Sequence, residues 1–117
     1  MRYLLLIYFD DAWGKLSPGE RQRIYQEQTQ LAEQLTAKGQ YLDGAPLQPT
    51  STATTVRVRG GQRFLTDGPF AETREQLGGY MLIDVKDEEE AIAIAARGAV
   101  ARVGSVEVRP VREGPPT

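Results

Sequence analysis

Apolar residues form short segments along the chain, and two of these segments have no polar interruption. Residues 3–9 are apolar at every position, and residues 81–83 are consecutive apolar residues inside a segment at 79–85. Uninterrupted apolar runs of this length are typical of strands that are covered on both faces. The sequence therefore predicts a buried strand at the start of the chain and a second one late in it.

Two further segments alternate between apolar and polar residues, which is typical of strands with one covered face. They lie at residues 54–59 and 105–111. Val56 and Val58 are expected on one face of the first of these strands and Arg57 and Arg59 on the other, and Val106 and Val108 are expected to point inward. Gly60-Gly61 indicates a hairpin turn into a returning strand at 62–66. A short strand is also predicted at 41–47.

Two segments carry the spacing and the end signals of helices. The first begins with a capping box of Ser17 and Glu20 around Pro18, and it ends at Gly39. Its expected inward stripe is Ile24, Gln28, Leu31, Ala32 and Leu35. The second is capped by Asp87 and runs through Arg97. Its expected stripe is Ala91, Ile92, Ala95 and Ala96.

The predicted order β-α-β-(β-β)-β-α-β indicates the α+β class, with one domain over residues 1–117 and a frayed tail at 113–117. It fits a ferredoxin-like split βαβ domain with an antiparallel sheet and two helices on one face. Helices on one face leave the other face of the apolar strands uncovered, and such surfaces usually mark an interface. The simplest cover is a second copy, so we expect a homodimer.

Composition narrows the possible functions. The 117 residues carry a net charge of −2, which gives no reason to expect a nucleic-acid partner. The absence of cysteine and histidine excludes disulfides and Ser-His-Asp or Cys-His catalysis, and we expect no metal site and no cofactor. The opening apolar run is shorter than the ~20 residues of a membrane span. We therefore expect a cytoplasmic protein without a membrane partner.

Residues 66–80 form the most informative segment. Asp67-Gly68-Pro69-Phe70 is followed by Glu72, Arg74, Glu75 and Gly78-Gly79. This segment resembles the signature of the DGPF branch of the YCII-related family, with Arg74 where Lys is frequent. The strands at both ends of the chain also resemble those of the family.

The resemblance implies a dimeric α+β barrel built from two ferredoxin-like subunits. A His-Asp pair has been proposed for relatives, and many DGPF members carry His before the last strand, where this chain has Ala101-Arg102-Val103-Gly104. That pair cannot operate in a chain without histidine. Related genes often lie beside genes for sigma factors of the extracytoplasmic-function type, which implies a regulatory link.

The start of the signature segment can be interpreted structurally or functionally. Asp67 can serve as a general base or ligand contact, or it can accept backbone hydrogen bonds in an Asx-type turn around Gly68 and Pro69; the turn is favoured. Phe70 can form a pocket wall, but an aromatic plug that holds the segment on the sheet is the simpler interpretation. Gly78-Gly79 is interpreted as a bulge or a close strand approach.

The remaining candidates are charged or carry a hydroxyl group. Arg74 has a planar fork suited to an anionic ligand. Glu72 and Glu75 either join it in a polar site or belong to a surface ion-pair cluster. The ligand-binding candidates are Asp67, Gly68, Pro69, Phe70, Glu72, Arg74 and Tyr80. Asp10 and Asp11 are interpreted as a solvated loop rather than a cation site.

Two functional hypotheses follow. The first is a regulatory or ligand-binding dimer without catalysis. The second is a small enzyme acting on an anionic or carbonyl-containing molecule, with Asp67 or Glu72 as the acid/base group, Arg74 holding charge and Tyr80 donating a hydrogen bond. A perturbed carboxylate in a deep pocket would favour the enzyme, and an Asp67 bonded to the amides of its own loop would favour the binding protein.

Overall fold

The computed structural model describes residues 1–114, and its elements follow the predicted order with three short additions. The predicted fraying at 113–117 concerns mainly residues 115–117, which lie outside the described residues. The strands are β1 Arg2–Phe9, β2 Tyr41–Pro46, β3 Thr54–Arg59, β4 Gln62–Asp67, β5 Gln76–Asp84 and β6 Ser105–Pro110. The helices are α1 Asp11–Lys15, α2 Pro18–Ala37, α3 Glu88–Arg97 and α4 Val100–Val103, with a 3₁₀ turn at Thr50–Thr52.

Four strands form one antiparallel sheet in the order β2-β5-β1-β6. The two strands with uninterrupted apolar segments, β1 and β5, are the central pair of this sheet. Each of them has a neighbouring strand along both edges. The strand that follows α2 does not pair with β1 but lies beyond β5, as in a split βαβ unit. The mixed α+β, ferredoxin-like fold predicted from the sequence is confirmed.

The core lies between this sheet and the helices on one of its faces. Tyr3, Leu5 and Ile83 of the sheet are buried against Leu31 and Leu35 of α2. The capping box at Ser17 and Glu20 is present. On α3 the buried stripe is Ala91, Ile94 and Ala95, whereas Ile92 is 50% exposed. The predicted stripe was wrong at Ile92 and at Ala96, which is also exposed, because adjacent residues on a helix point in different directions.

The β3–β4 hairpin stands apart from the main sheet, and we call it the hairpin arm. Within the described residues its strands form ladder hydrogen bonds only with each other, and the turn between them contains Gly60 and Gly61, with φ values of 57° and 76°. Val56 and Val58 are each 58% exposed. Their side chains remain exposed because alternation distinguishes the two faces of a strand but does not supply a layer to cover either. Val106 and Val108, by contrast, pack against the core.

The sheet face opposite the helices is the open face. Its central part is apolar and only half-buried: Leu4, Leu6, Tyr80 and Leu82 lie there on paired positions of β1 and β5. The molecule is only 19 Å thick in its shortest dimension, as expected for one sheet and one helical layer. Within residues 1–114, no helix is both long and apolar enough to cross a membrane.

Candidate functional site

The signature segment begins at the base of the hairpin arm. Asp67 is the last residue of β4, and Gly68, at φ 98°, turns the chain away from it. The Gly68 amide donates to the Ala53 carbonyl at 2.8 Å, and the Thr55 hydroxyl donates to the Gly68 carbonyl at 2.9 Å. The Ala53 carbonyl and the Thr55 hydroxyl thus hold this turn, without a contribution from the Asp67 side chain.

Asp67 and Phe70 do not have the surroundings expected from the sequence. Asp67 is exposed, and its carboxylate accepts no hydrogen bond from residues 1–114, so the favoured Asx-type turn is absent. Phe70 is 79% exposed, and its ring lies 5.8 Å from the Arg57 guanidinium carbon. It is therefore not a plug on the sheet, and its ring forms a cation–π pair with the arm.

The end of the segment folds on itself before β5 begins. The side-chain amide of Gln76 donates to the carbonyl of Thr73 at 2.7 Å and to that of Ala71 at 3.0 Å. These bonds fix a compact bend that presents Arg74 and Glu75 over the end of the main sheet. Local backbone carbonyls therefore set the position of the two charged side chains.

Arg74 and Glu75 border a polar cleft of about 490 Å³, which we call the loop cleft. It is lined by Tyr8, Thr73, Arg74, Glu75, Ser105, Val106 and Glu107. Tyr8 and Ser105 are paired neighbours on β1 and β6, and Glu107 is paired with Leu6. Since paired residues share a face, the floor of the loop cleft is one end of the open face.

The two carboxylates of the loop cleft already have partners. The Ser105 hydroxyl donates to Glu75 Oε1 at 2.9 Å. Glu107 accepts a hydrogen bond from the Tyr8 hydroxyl at 3.4 Å and forms an ion pair with Arg109. Arg74 forms no ion pair with any carboxylate among the described residues. The loop cleft therefore contains two carboxylates and two hydroxyl groups that are already hydrogen-bonded. It also contains one cation, Arg74, that has no carboxylate partner among the described residues.

Tyr80 lies elsewhere on the open face. Its hydroxyl donates to Asp43 Oδ2 at 3.1 Å, and this hydrogen bond is the main reason why the pKa of Tyr80 is raised. The phenol therefore stays protonated at neutral pH, but its proton is already engaged. Tyr80 can offer it to a ligand only by leaving Asp43.

Of the seven ligand-binding candidates, Arg74 alone lines the loop cleft. The others, with Asp67 and Glu72 both exposed, lie outside it. Sequence reasoning missed Tyr8, Ser105 and Glu107, which are far from the signature in the chain. The available signal was the predicted strand order, since the first and last strands of a split βαβ sheet are neighbours.

The glycines at this end of the sheet allow close packing. The β1–β5 register shifts between Ile7 and Tyr8, which leaves Gly78 as the extra residue of a bulge. A Cβ atom on Gly78 would lie 2.4 Å from the Phe9 ring, and one on Gly104 would lie 2.2 Å from the Tyr8 carbonyl oxygen. The interpretation of Gly78-Gly79 as a bulge and close approach is confirmed.

The other acidic pair considered as a site has a structural role. Asp10 is the N-cap of α1, and its carboxylate accepts a hydrogen bond from the Ala12 amide at 2.9 Å. Asp11 lies in the first turn of that helix. The solvated loop expected here is therefore a short capped helix.

The chain is similar to one known protein in sequence and to another in fold. An uncharacterised protein of Rhizobium meliloti (strain 1021) is 37% identical over 117 aligned residues, covering 95% of this chain and 92% of the relative. The structure also resembles TftG, the 5-chloro-2-hydroxyhydroquinone dehydrochlorinase from Burkholderia phenoliruptrix AC1100, solved in complex with 2,5-dihydroxybenzoquinone. The TM-score is 0.54 at 15% identity, over 97% of this chain and 96% of TftG. At that identity the likeness concerns the fold alone.

The family is established independently of this neighbour. The sequence-family model of the YCII-related domain matches residues 1–114, the same range that forms the sheet, the helices and the hairpin arm described above. The chain belongs to the YCII-related domain family.

Proposed function

We propose that the protein binds a small anionic molecule in the loop cleft, with Arg74 as the charge partner. The observation that carries the proposal is the pairing of the charges: both cleft carboxylates are hydrogen-bonded, whereas Arg74 has no carboxylate partner among residues 1–114. A guanidinium group presents a planar fork of donors that matches a carboxylate or phosphate. The hydroxyl groups of Tyr8 and Ser105 lie on the cleft floor, and each can donate to such a ligand by turning away from Glu107 or Glu75.

We further propose that the binding unit is a homodimer. The open face has an apolar centre, Leu4, Leu6 and Leu82, and the described helices cover only the other face. The radius of gyration, 16.1 Å, exceeds the ~13 Å of a compact domain of about 100 residues. A second copy packed sheet against sheet would cover this face. The loop cleft lies at one end of it, so the ligand would bind beside the interface.

The biological role in this proposal is regulatory. It draws on the resemblance to the DGPF branch of the family, whose genes often lie beside genes for extracytoplasmic-function sigma factors. Ligand binding next to a subunit interface would couple the ligand to the arrangement of the two subunits. This role requires no catalytic group, in keeping with a chain that has neither histidine nor cysteine.

The alternative is an enzyme acting on an anionic or carbonyl-containing molecule. Its support is the fold shared with TftG, a dehydrochlorinase. The acid/base candidates Asp67 and Glu72 do not line the loop cleft, whereas Glu75 and Glu107 do. An enzyme of this kind would therefore need the cleft glutamates to exchange protons, and both are held by hydroxyl groups. Binding without catalysis is the better-supported function.

Titration calorimetry with benzoate and inorganic phosphate at low ionic strength tests the binding proposal. Arg74→Gln should weaken the better-bound anion by roughly tenfold or more, because a charge-assisted hydrogen bond contributes about 1.5–3 kcal/mol. Arg63→Gln is the matched control, since Arg63 is an exposed arginine of the hairpin arm outside the cleft. Equal affinities of wild type and Arg74→Gln, or no binding of either anion at millimolar concentration, would contradict the proposal.

A further inference from the structure

A second cavity lies on the other side of the main sheet, between α2 and strands β2 and β5. Its volume is about 150 Å³. Helix α2 contributes Tyr25, Gln28, Thr29 and Ala32 to its wall, and the sheet contributes residues 44–46 and 78–81. Because Met81 is buried on the helical face whereas the loop cleft opens on the other face, the two sites are separate. We call this site the helix-side cavity.

The cavity exists because small residues meet aromatic rings at this place. Gly44 and Gly78 carry no side chain, and a Cβ atom on either would lie 2.4 Å from the Tyr41 hydroxyl or the Phe9 ring respectively. The rings thus occupy the space above the glycines, and Ala32 of α2 is too short to fill the remainder. One end is closed by aromatic packing: Phe9 stacks on Trp13 with ring centroids 4.2 Å apart.

The aromatic packing continues from Trp13 to Tyr25, whose ring lies 5.5 Å away in an edge-on arrangement. Tyr25 is 41% exposed and therefore lies at the rim of the cavity, whereas Met81, 6% exposed, lies at its base. A wall of aromatic and aliphatic groups with a rim open to solvent admits a flat apolar molecule. A cavity of about 150 Å³ lined by apolar groups is large enough for a benzene ring.

One polar group of the cavity wall lacks a hydrogen bond. Gln28 Oε1 is buried beside Gly98 and accepts none from the described residues, and Gln28 Nε2 donates to the Met81 sulfur at 3.5 Å. A buried amide oxygen without a donor is uncommon in proteins, because it loses its bonds to water without replacement. The last torsion of glutamine is soft, so rotation of the amide can turn this acceptor toward the cavity.

We propose that the helix-side cavity binds a neutral monocyclic aromatic molecule with one hydroxyl group, which donates to Gln28. The volume of the cavity suits a ligand with a single ring, and its apolar wall favours an uncharged ligand. The unpaired Gln28 acceptor favours a ligand that carries a hydroxyl group. A carboxylate would lose its hydration without gaining a cation, since the lining residues include no lysine or arginine. This site is independent of the anion site in the loop cleft.

Phenol is the probe, because like the tyrosine side chain it is neutral at pH 7. Thermal melts and titrations should show stabilisation by phenol, and binding about two- to tenfold tighter than that of benzene, the effect of one neutral hydrogen bond. Gln28→Met keeps the length of the side chain and removes the acceptor. It should bring phenol affinity to the level of benzene while leaving benzene binding in place. Unchanged preference for phenol in this variant would overturn the role of Gln28.

The location is tested by filling the cavity. Ala32→Leu should abolish phenol binding, whereas Ala37→Leu, at an exposed position of the same helix, should not change it. Phenol affinity should also be the same in Arg74→Gln, which separates this site from the loop cleft. If Ala32→Leu fails to fold, nuclear Overhauser effects in the wild type decide: contacts of phenol protons with the methyl groups of Ala32 and Ala45 support the proposal. Their absence, or undiminished binding by a folded Ala32→Leu, would overturn it.

Discussion

At the scale of single residues, the contacts of the Asp67 side chain differ from those that the sequence signature suggests. Its carboxylate is exposed and accepts no hydrogen bond from residues 1–114, while backbone bonds through Gly68 hold the turn. Both Asp67→Ala and Asp67→Asn should change the free energy of unfolding by less than about 0.5 kcal/mol, as at other surface positions. Thermal melts check this. A loss above about 1 kcal/mol, or about 4 °C at this size, would restore the turn hypothesis.

Gly104 is a residue for which the structure predicts a large effect. A Cβ atom there would lie 2.2 Å from the Tyr8 carbonyl oxygen, a backbone atom that cannot move without disturbing β1. Gly104→Ala should therefore destabilise the protein by about 1–3 kcal/mol, as overpacking does. Gly14→Ala is the matched control. Gly14 lies in α1 with nothing within 4 Å of its Cβ position, so stability should stay level or rise. Equal melting temperatures for both variants would contradict this packing.

At the scale of elements, the start of α2 is the clearest case of a helix end that a local sequence signal predicts. The Ser17 hydroxyl accepts from the Glu20 amide at 3.1 Å, and Glu20 Oε1 accepts from the Ser17 amide at 3.2 Å. Ser17→Ala should cost about 1 kcal/mol, the usual effect of losing an N-cap. Chemical denaturation measures it. Ser51→Ala is the control in an exposed 3₁₀ turn, where no side-chain cap is formed, and a loss equal to that of Ser17→Ala would refute the capping argument.

The elements themselves were predictable, because their signals are local. The capping box, the glycine turn of the arm and the uninterrupted apolar runs each lie within a few residues, and the structure has the corresponding elements. The exposure of Val56 and Val58 was not predictable, since it depends on which layers pack together. The loop cleft was only partly predictable. Arg74 lies in the signature, but Tyr8 and Glu107, which are 99 positions apart, meet through β1–β6 pairing.

At the scale of the whole molecule, the oligomeric state depends on what covers the open face. Light scattering should give about twice the chain mass of 13.0 kDa, because half-buried leucines at the centre of a sheet favour a second layer. Leu6→Glu places a charge on this face and should give a monomer. Ile92→Glu, at a 50% exposed position of α3, should leave the mass unchanged. A monomeric wild type at micromolar concentration would contradict the homodimer.

The most direct test of the central claim, that the loop cleft binds an anion, is a map of amide chemical shifts during titration with benzoate. We expect the largest saturable changes at Arg74, Glu75 and Ser105, residues that line the cleft from β6 and from the bend before β5. In Arg74→Gln these changes should require roughly tenfold more benzoate, or more, to reach the same size. Saturable changes centred on the arm around Arg63, or on α2 around Ala32, with the cleft amides unmoved, would contradict it.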